Sequence, residues 1–283
     1  MASFTNFATL SYNGGTTNSN IVTGEILEAL TAVKTAVSAN YSAGDRITYA
    51  LSLVNTGTAA ITDYTVTDNL GGYTVGANTV YPLAYNAGTV RYYINGVLQT
   101  APTVTAGPPL TVTGLTVPAG GSAVLIYETT ATPVAPLATG SSITNTATIT
   151  GGGLTNPITA QATVETATSA DLTISKALSP TTVTENGQIT YTFVISNTGN
   201  TEATATGNVV VTDTFAPILR NIAVTYNGTA WTEGTNYTYN AATGVFTTLA
   251  GQITVPAASF TQNTDGTFTV TPGTATLVIT GTV

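Results

Sequence analysis

Large apolar residues alternate with small or polar ones along Ile47-Thr-Tyr49-Ala-Leu51-Ser-Leu53 and again along Ile189-Thr-Tyr191-Thr-Phe193-Val-Ile195. A period of two is the mark of a strand with one face in a core. Turn signals (Asn-Thr-Gly, Asn95-Gly96, Ala119-Gly120-Gly121, Asn227-Gly228) punctuate the chain every eight to twelve residues. The one helix-like stretch, GEILEALTAVK from Gly24, lies between strands and reads as linker or strand. Evenly spaced short strands predict an all-β chain of two tandem immunoglobulin-like sandwiches. The inward positions are then Tyr49, Leu51 and Leu53, with Tyr191, Phe193 and Ile195 as counterparts.

The two modules are copies of one unit. Lys34, Ile47, Tyr49, Asn55, Thr56 and Gly57 are answered by Lys176, Ile189, Tyr191, Asn197, Thr198 and Gly199, without a gap, at a constant offset of 142 (Lys34 to Lys176). Further along, YTVTDNL with Asp68 answers VVVTDTF with Asp213, YYINGVLQ answers VTYNGTAW, and LTVPAG answers ITVPAA. Such self-similarity marks a duplication. It divides the chain into an N-terminal strand or hairpin (1–27), a first module (28–167) and a second module (168–283).

Composition narrows the chemistry. Cys and His are both absent, which removes disulfide frameworks, the usual zinc sites and histidine relays. Only 6% of residues are charged and the net charge is −8, so there is no basic footprint for nucleic acid or anionic lipid. No apolar run approaches the ~18 residues of a membrane span. The N-terminus lacks the basic and apolar regions of a secretory signal, so the expectation is either a processed end or another route out of the cell. Asp45, Asp63 and Asp68 form no calcium loop, and no cofactor or metal is expected. Asn227 and Asn236 fit a glycosylation pattern that polar loops often match, and Trp231, Tyr237 and Tyr239 read as packing before they read as a sugar platform.

LTISKALSPTTVTENGQITYTFVISNTGN, then VVVTDTF, then ITNTATIT resembles the bacterial conserved-repeat module called domain of unknown function eleven. The resemblance covers nearly the whole chain, as two modules. It implies immunoglobulin-like modules of cell-surface and fibre proteins. The two-module layout also resembles subunits of appendages on spores of anaerobic Gram-positive bacteria. An extracellular fibre or a cell or spore surface is the implied location.

The two copies differ at their ends. The first continues from AVLIYETT through SSITNTATITGGG to a further strand, ITAQATVE, whereas the second reaches ATLVITGTV at Val283. A sandwich short of its last strand leaves backbone groups unpaired and an apolar groove open. FTNFATLSYNGG followed by SNIVTGEI has the layout of ITNTATITGGG followed by ITAQATVE. Phe4, Thr5, Asn6, Phe7, Ala8, Thr9 and Leu10 are therefore expected to add as a strand to the second module of a neighbouring subunit, with Phe4, Ala8 and Leu10, or the alternate Phe7, filling pockets. A donor on one module and an acceptor on the other yields a head-to-tail homopolymer. The alternative is that the N-terminus is an edge strand of module one.

Lys34 and Lys176 are the only lysines and occupy equivalent positions. Asp68 and Asp213 also correspond, and Asn145 has a counterpart in Asn6 if that segment is donated. Lysine, asparagine and a carboxylic acid are the ingredients of the autocatalytic isopeptide bond of Gram-positive surface domains. Burial favours the neutral form of both amine and acid, so the amine can attack a carboxamide and release ammonia. Lys34–Asn145 would then close within module one, and Lys176–Asn6 between subunits. Alternatively the lysines lie along the surface with their heads in water, and the aspartates cap turns. The leading reading is a self-assembling fibre subunit. An adhesin that recognises a glycan or host protein through its loops is the second reading, and no nucleophile–base pattern suggests an enzyme.

Overall fold

A computed structural model describes residues 2–26 and 29–283. It is built from strands, with one 3₁₀ turn at Ala205–Gly207 and no α-helix among the described residues. No helix there is long and apolar enough to cross a membrane. Two compact units result, one of residues 1–136 and 142–165, the other of 137–141 and 166–283. The expected boundary at 27/28 lies outside the described residues.

The N-terminal segment folds as a hairpin in two parts. β1 (Ala2–Asn6) pairs with β4 (Val22–Ile26), and β2 (Thr9–Tyr12) pairs with β3 (Gly15–Asn18). Asn13 and Gly14, both at positive φ, make the tight turn, a conformation that asparagine and glycine tolerate best. The helix-like stretch resolves into β4 and β5 (Leu30–Ala36) on either side of residues 27–28, which are not described.

The first unit contains β5, β6 (Asn40–Tyr41), β7 (Arg46–Asn55), β8 (Ile61–Asp68), β9 (Leu83–Tyr85), β10 (Arg91–Ile94) and β11 (Val97–Leu98). It continues with β12 (Thr103–Thr105), β13 (Leu110–Val117), β14 (Ser122–Ala131), β15 (Ser142–Gly151) and β16 (Ile158–Thr166). One sheet runs β11-β10-β14-β7-β5, with β9 also on β14, and the other runs β12-β13-β8-β15-β16-β6. Tyr49, Leu51 and Leu53 are fully buried, as the alternation requires, and Leu125 and Tyr127 of β14 lie opposite Leu51 and Tyr49. From the second sheet Tyr64, Val66, Ile143, Ala147 and Ile149 close the core.

The second unit contains β17 (Leu172–Ser179), β18 (Gln188–Asn197), β19 (Thr212–Thr214) and β20 (Arg220–Tyr226). It continues with β21 (Thr229–Trp231), β22 (Tyr237–Asn240), β23 (Val245–Thr248) and β24 (Gly273–Thr282), and a separate hairpin pairs Ser259–Gln262 with Phe268–Thr271. Its main sheet, β21-β20-β24-β18-β17, repeats strand for strand the β11-β10-β14-β7-β5 order of the first unit. Register is repeated too: Lys34 faces Leu51, and Lys176 faces Phe193. The opposing sheet is only β19-β23-β22. Phe193 and Ile195 are buried, but Tyr191, expected in the core, is only half-buried. No strand among the described residues of this unit pairs with β19 as β15 pairs with β8 in the first.

The Asn-Thr-Gly repeat has a structural cause. Asn55 is buried; its amide donates to the carbonyls of Ala59 (2.8 Å) and Pro118 (3.0 Å) and accepts from the Gly57 N–H (2.9 Å). Asn197 is equally buried, donating to Thr201 (2.8 Å) and Pro256 (3.0 Å) and accepting from Gly199 (2.9 Å). A Cβ on Gly199 would meet the Ser169 carbonyl oxygen at 2.2 Å, which explains the glycine. Asn55→Ala and Asn197→Ala leave several loop groups without partners, and each is expected to lower its unit's stability by about 2 kcal/mol or more in chemical denaturation.

Candidate functional site

Chemistry-bearing side chains of the first unit meet between β5, β8, β14 and β15. Lys34 sits on β5 at an inward position, and its Nζ donates to Asp68 Oδ2 at 2.5 Å. Both side chains are essentially sealed, at 0% and 1% exposure. A surface lysine with its head in water is thereby ruled out for Lys34. The Tyr127 hydroxyl donates to the same carboxylate oxygen, and Oδ1 accepts the Leu70 N–H at 2.9 Å. Asp68 thus caps its turn and holds the lysine at once. Lys34 Nζ lies 4.8 Å from the Tyr49 ring centroid and 5.9 Å from that of Tyr127.

Asn145 completes the group. It lies on β15, whose Ala147 is the cross-strand partner of Asp68, and the two-residue period turns Asn145 to the same inner face. It is fully buried, and neither polar atom of its amide meets a partner in hydrogen-bond geometry. The amide nevertheless lies close enough to the Tyr49 and Tyr127 hydroxyls to offset in part the upward push of burial on both phenols. The Tyr49 hydroxyl is likewise without a hydrogen bond. Unpaired buried amides are uncommon and each calls for an explanation.

Burial holds the Lys34 amine well below its ordinary value, at about 8, against the opposing pull of Asp68. A lysine, a carboxyl group, a phenol and an unpaired carboxamide enclosed together can transfer a proton from amine to acid and bring a neutral amine to a carbonyl. Among the described residues no group of three or more acidic, Cys or His side chains could hold a metal ion.

The second unit carries part of the same arrangement. Lys176 is paired with Asp213, whose Oδ1 accepts the Thr214 N–H at 2.9 Å. Lys176 Nζ stands 4.4 Å from the Tyr191 centroid, 5.4 Å from Phe193 and 5.5 Å from Phe215. The enclosure differs: Lys176 is 40% exposed and Asp213 18%. Ile279 replaces Tyr127 opposite Tyr191. Asp213 pairs with Phe246 on one edge of β19, and no strand among the described residues pairs with the other. Beside Tyr191 lies an open cleft of about 650 Å³ whose walls include Leu178, Val183, Ile189, Tyr191 and Pro217.

No protein-family model matches the chain, and no curated protein is significantly similar to it. Solved structures that resemble it include a variant of the major pilin subunit of Bacillus cereus, at 15% identity and a TM-score of 0.40, over 95% of this chain and 73% of that one. The pilus backbone of Streptococcus pneumoniae aligns at 13% identity and a TM-score of 0.36, over 86% and 55% of the respective chains. The N-terminal domain of an adhesin of Streptococcus gordonii aligns at 14% and 0.36, over 48% and 32%. The chain spans about half of that pilus backbone and a third of that adhesin structure. Likenesses this distant assign no function, which rests on the side chains above.

Asn6, on β1, and the rest of the expected donor segment lie on the exposed hairpin, with Phe4 54% and Leu10 65% exposed. Tyr49 and Tyr127 were not among the sequence candidates. Nothing in their local pattern separates a site phenol from a core tyrosine; only the cross-strand register does.

The two lysine–aspartate pairs are expected to differ sharply in energetic weight. Asp68→Ala leaves the buried Lys34 amine and the Tyr127 hydroxyl without their acceptor and is expected to cost roughly 3–5 kcal/mol. Asp213→Ala, at a solvated pair, is expected to change stability by no more than about 1 kcal/mol. Denaturant titration of the two variants measures the contrast.

Proposed function

We propose that this protein is a structural subunit of a cell- or spore-surface fibre, polymerising head-to-tail as the N-terminal hairpin of one subunit completes the second unit of the next. One observation carries the reading: a hairpin with no core of its own and a sheet edge with no partner among the described residues occur in one chain. The hairpin repeats the layout of β15–β16, strand, Asn/Gly-rich turn and strand. A two-stranded hairpin is marginal alone in water, and one that exposes Phe4, Phe7, Leu10 and Tyr12 needs a surface to cover them.

The buried parity of β15 specifies how the segment would dock. Ile143, Asn145, Ala147 and Ile149 point inward, and the matched residues are Phe4, Asn6, Ala8 and Leu10. Phe7 falls on the outer face in this register. Ala8 then lies opposite Asp213, and Leu10 opposite Val211, as Ala147 and Ile149 lie opposite Asp68 and Val66. Burying Phe4 and Leu10 contributes about 1.5–3 kcal/mol each, in addition to the main-chain bonds to β19. A donor and an acceptor on different surfaces make a heterologous contact, which extends into an open filament when it does not close.

Within the first unit the same reading includes an amide bond between Lys34 Nζ and Asn145 Cγ. The lysine proton passes to Asp68 and the neutral amine attacks the carboxamide carbon; Asp68 then gives that proton to the departing nitrogen as ammonia leaves, and takes up the second Nζ proton as the amide forms. On this reading the chain is a member of the conserved-repeat surface modules.

Two measurements test these statements. Intact protein is expected to be lighter by ~17 Da than its sequence for the Lys34–Asn145 bond, and Asn145→Ala or Asp68→Ala to abolish that loss. The reactive state holds one proton shared by Lys34 and Asp68, and this proton is lost above about pH 8. In cell-free synthesis followed by mass, bond formation is therefore expected to slow about tenfold per pH unit above that value, whereas an isolated amine would speed up. Deleting residues 2–26, or replacing Ala8 by Arg, is expected to leave folded subunits that form no fibres in electron microscopy. Normal fibres from the deletion protein would refute the assembly.

A further inference from the structure

Lys176 and Asp213 stand in the geometry of Lys34 and Asp68, but their enclosure stops short on one side. The rings of Tyr191, Phe193 and Phe215 wall the ammonium on the core side. The open side is the free edge of β19, where β15 lies in the first unit. What the first unit supplies from that strand is one inward carboxamide, Asn145, two residues before the alanine that faces the aspartate. The N-terminal segment carries the same pair at the same spacing, Asn6 and Ala8.

We propose that docking of the hairpin brings Asn6 of one subunit to Lys176 of the next and that an amide bond forms there, linking the fibre covalently from subunit to subunit. This rests on the donor-hairpin reading above and adds a reaction to it. The incoming strand excludes water from the Lys176–Asp213 pair and so reproduces the burial of Lys34–Asp68. A proton moves from Lys176 to Asp213. The neutral Nζ attacks Asn6 Cγ and a C–N bond forms; the Asp213 proton goes to Nδ2 as the Cγ–Nδ2 bond breaks, and the second Nζ proton passes to the freed Asp213 carboxylate. One ammonia is released for each junction, and no oxidant, metal or nucleotide is consumed. Reaction is confined to assembled subunits, since before docking the lysine lacks its carboxamide and the exposed Asn6 lacks its amine and acid.

The test uses the full chain. Wild-type fibres boiled in detergent are expected to give a ladder of covalent oligomers, each junction lighter by ~17 Da. Digestion is expected to release a branched peptide joining Asn6 to Lys176. Asn6→Ala, Lys176→Arg and Asp213→Ala are expected to assemble into fibres that fall to monomers on boiling. Wild-type fibres that dissolve to monomers overturn the bond while leaving the assembly intact. A ladder that survives Asn6→Ala overturns the assignment of the acceptor. An Asn6–Lys176 peptide recovered from monomers alone places the bond within one chain and overturns the intersubunit link. Absence of both fibres and ladder sinks the assembly and the bond together.

Discussion

An interior strand of a sandwich has two edges, and both must find backbone partners before the face between them can be dry. In the first unit β8 has β13 on one side and β15 on the other, and pairing extends over Ile61–Asp68. In the second, among the described residues, β19 has β23 on one side only and pairs over Thr212–Thr214. The contrast in enclosure between the two lysine–aspartate pairs accompanies this one. Where β15 and β16 are present, Lys34, Asp68 and Tyr49 are sealed; in the second unit, Lys176, Asp213 and Tyr191 reach solvent. Backbone satisfaction and the electrostatic state of the site are thus one constraint.

In the proposed chemistry that coupling would make burial a control on reactivity. A lysine–carboxylate pair in water is an ordinary ion pair, screened and unreactive. The same pair inside an apolar sandwich loses hydration on both partners, and the neutral tautomer gains relative to the ionic one. The lowered pKa of Lys34 and the orphaned Asn145 amide belong to the enclosed case. Both residues would be poor choices for stability alone, because an apolar residue at either position would carry no desolvation cost. The proposed bond would account for a charge pair and an unpaired amide in a core otherwise filled by Tyr, Leu, Ile and Ala.

Much of this was legible before any coordinates. The period of two placed Tyr49, Leu51 and Leu53 in the core, and the offset of 142 paired Lys34 with Lys176 and Asn55 with Asn197. Other features were not, for definable reasons. Tyr127 reaches Asp68 through cross-strand pairing with Tyr49, a contact between residues far apart in sequence that strand periodicity does not encode. The buried bonding of Asn55 and Asn197 is invisible in a motif that reads simply as a turn. Tyr191 shares its local pattern with Tyr49, and its half-burial depends on strands elsewhere in the fold. The choice between Phe4 and Phe7 as inward residue was open in sequence because the segment itself obeys either parity. Both rings are exposed on the hairpin, and only the proposed docking in the register of β15 would turn Phe4 inward.

Strand addition by itself is reversible, and an interface made from a short hairpin has a finite lifetime however well its pockets fit. A surface fibre under shear meets that lifetime at every junction, so its length is limited by the weakest one. Proteins that must persist outside the cell commonly answer with disulfides, but this chain has no cysteine. It also has few charges with which to build ion-pair networks. An amide formed from side chains that docking itself brings together needs neither. In the proposed assembly water exclusion, supplied by the correct strand in the correct register, would make the lysine reactive, and a misregistered junction would leave Lys176 solvated and free to dissociate. Chemistry conditioned on burial in this way converts accurate strand pairing, and no other kind, into a permanent link.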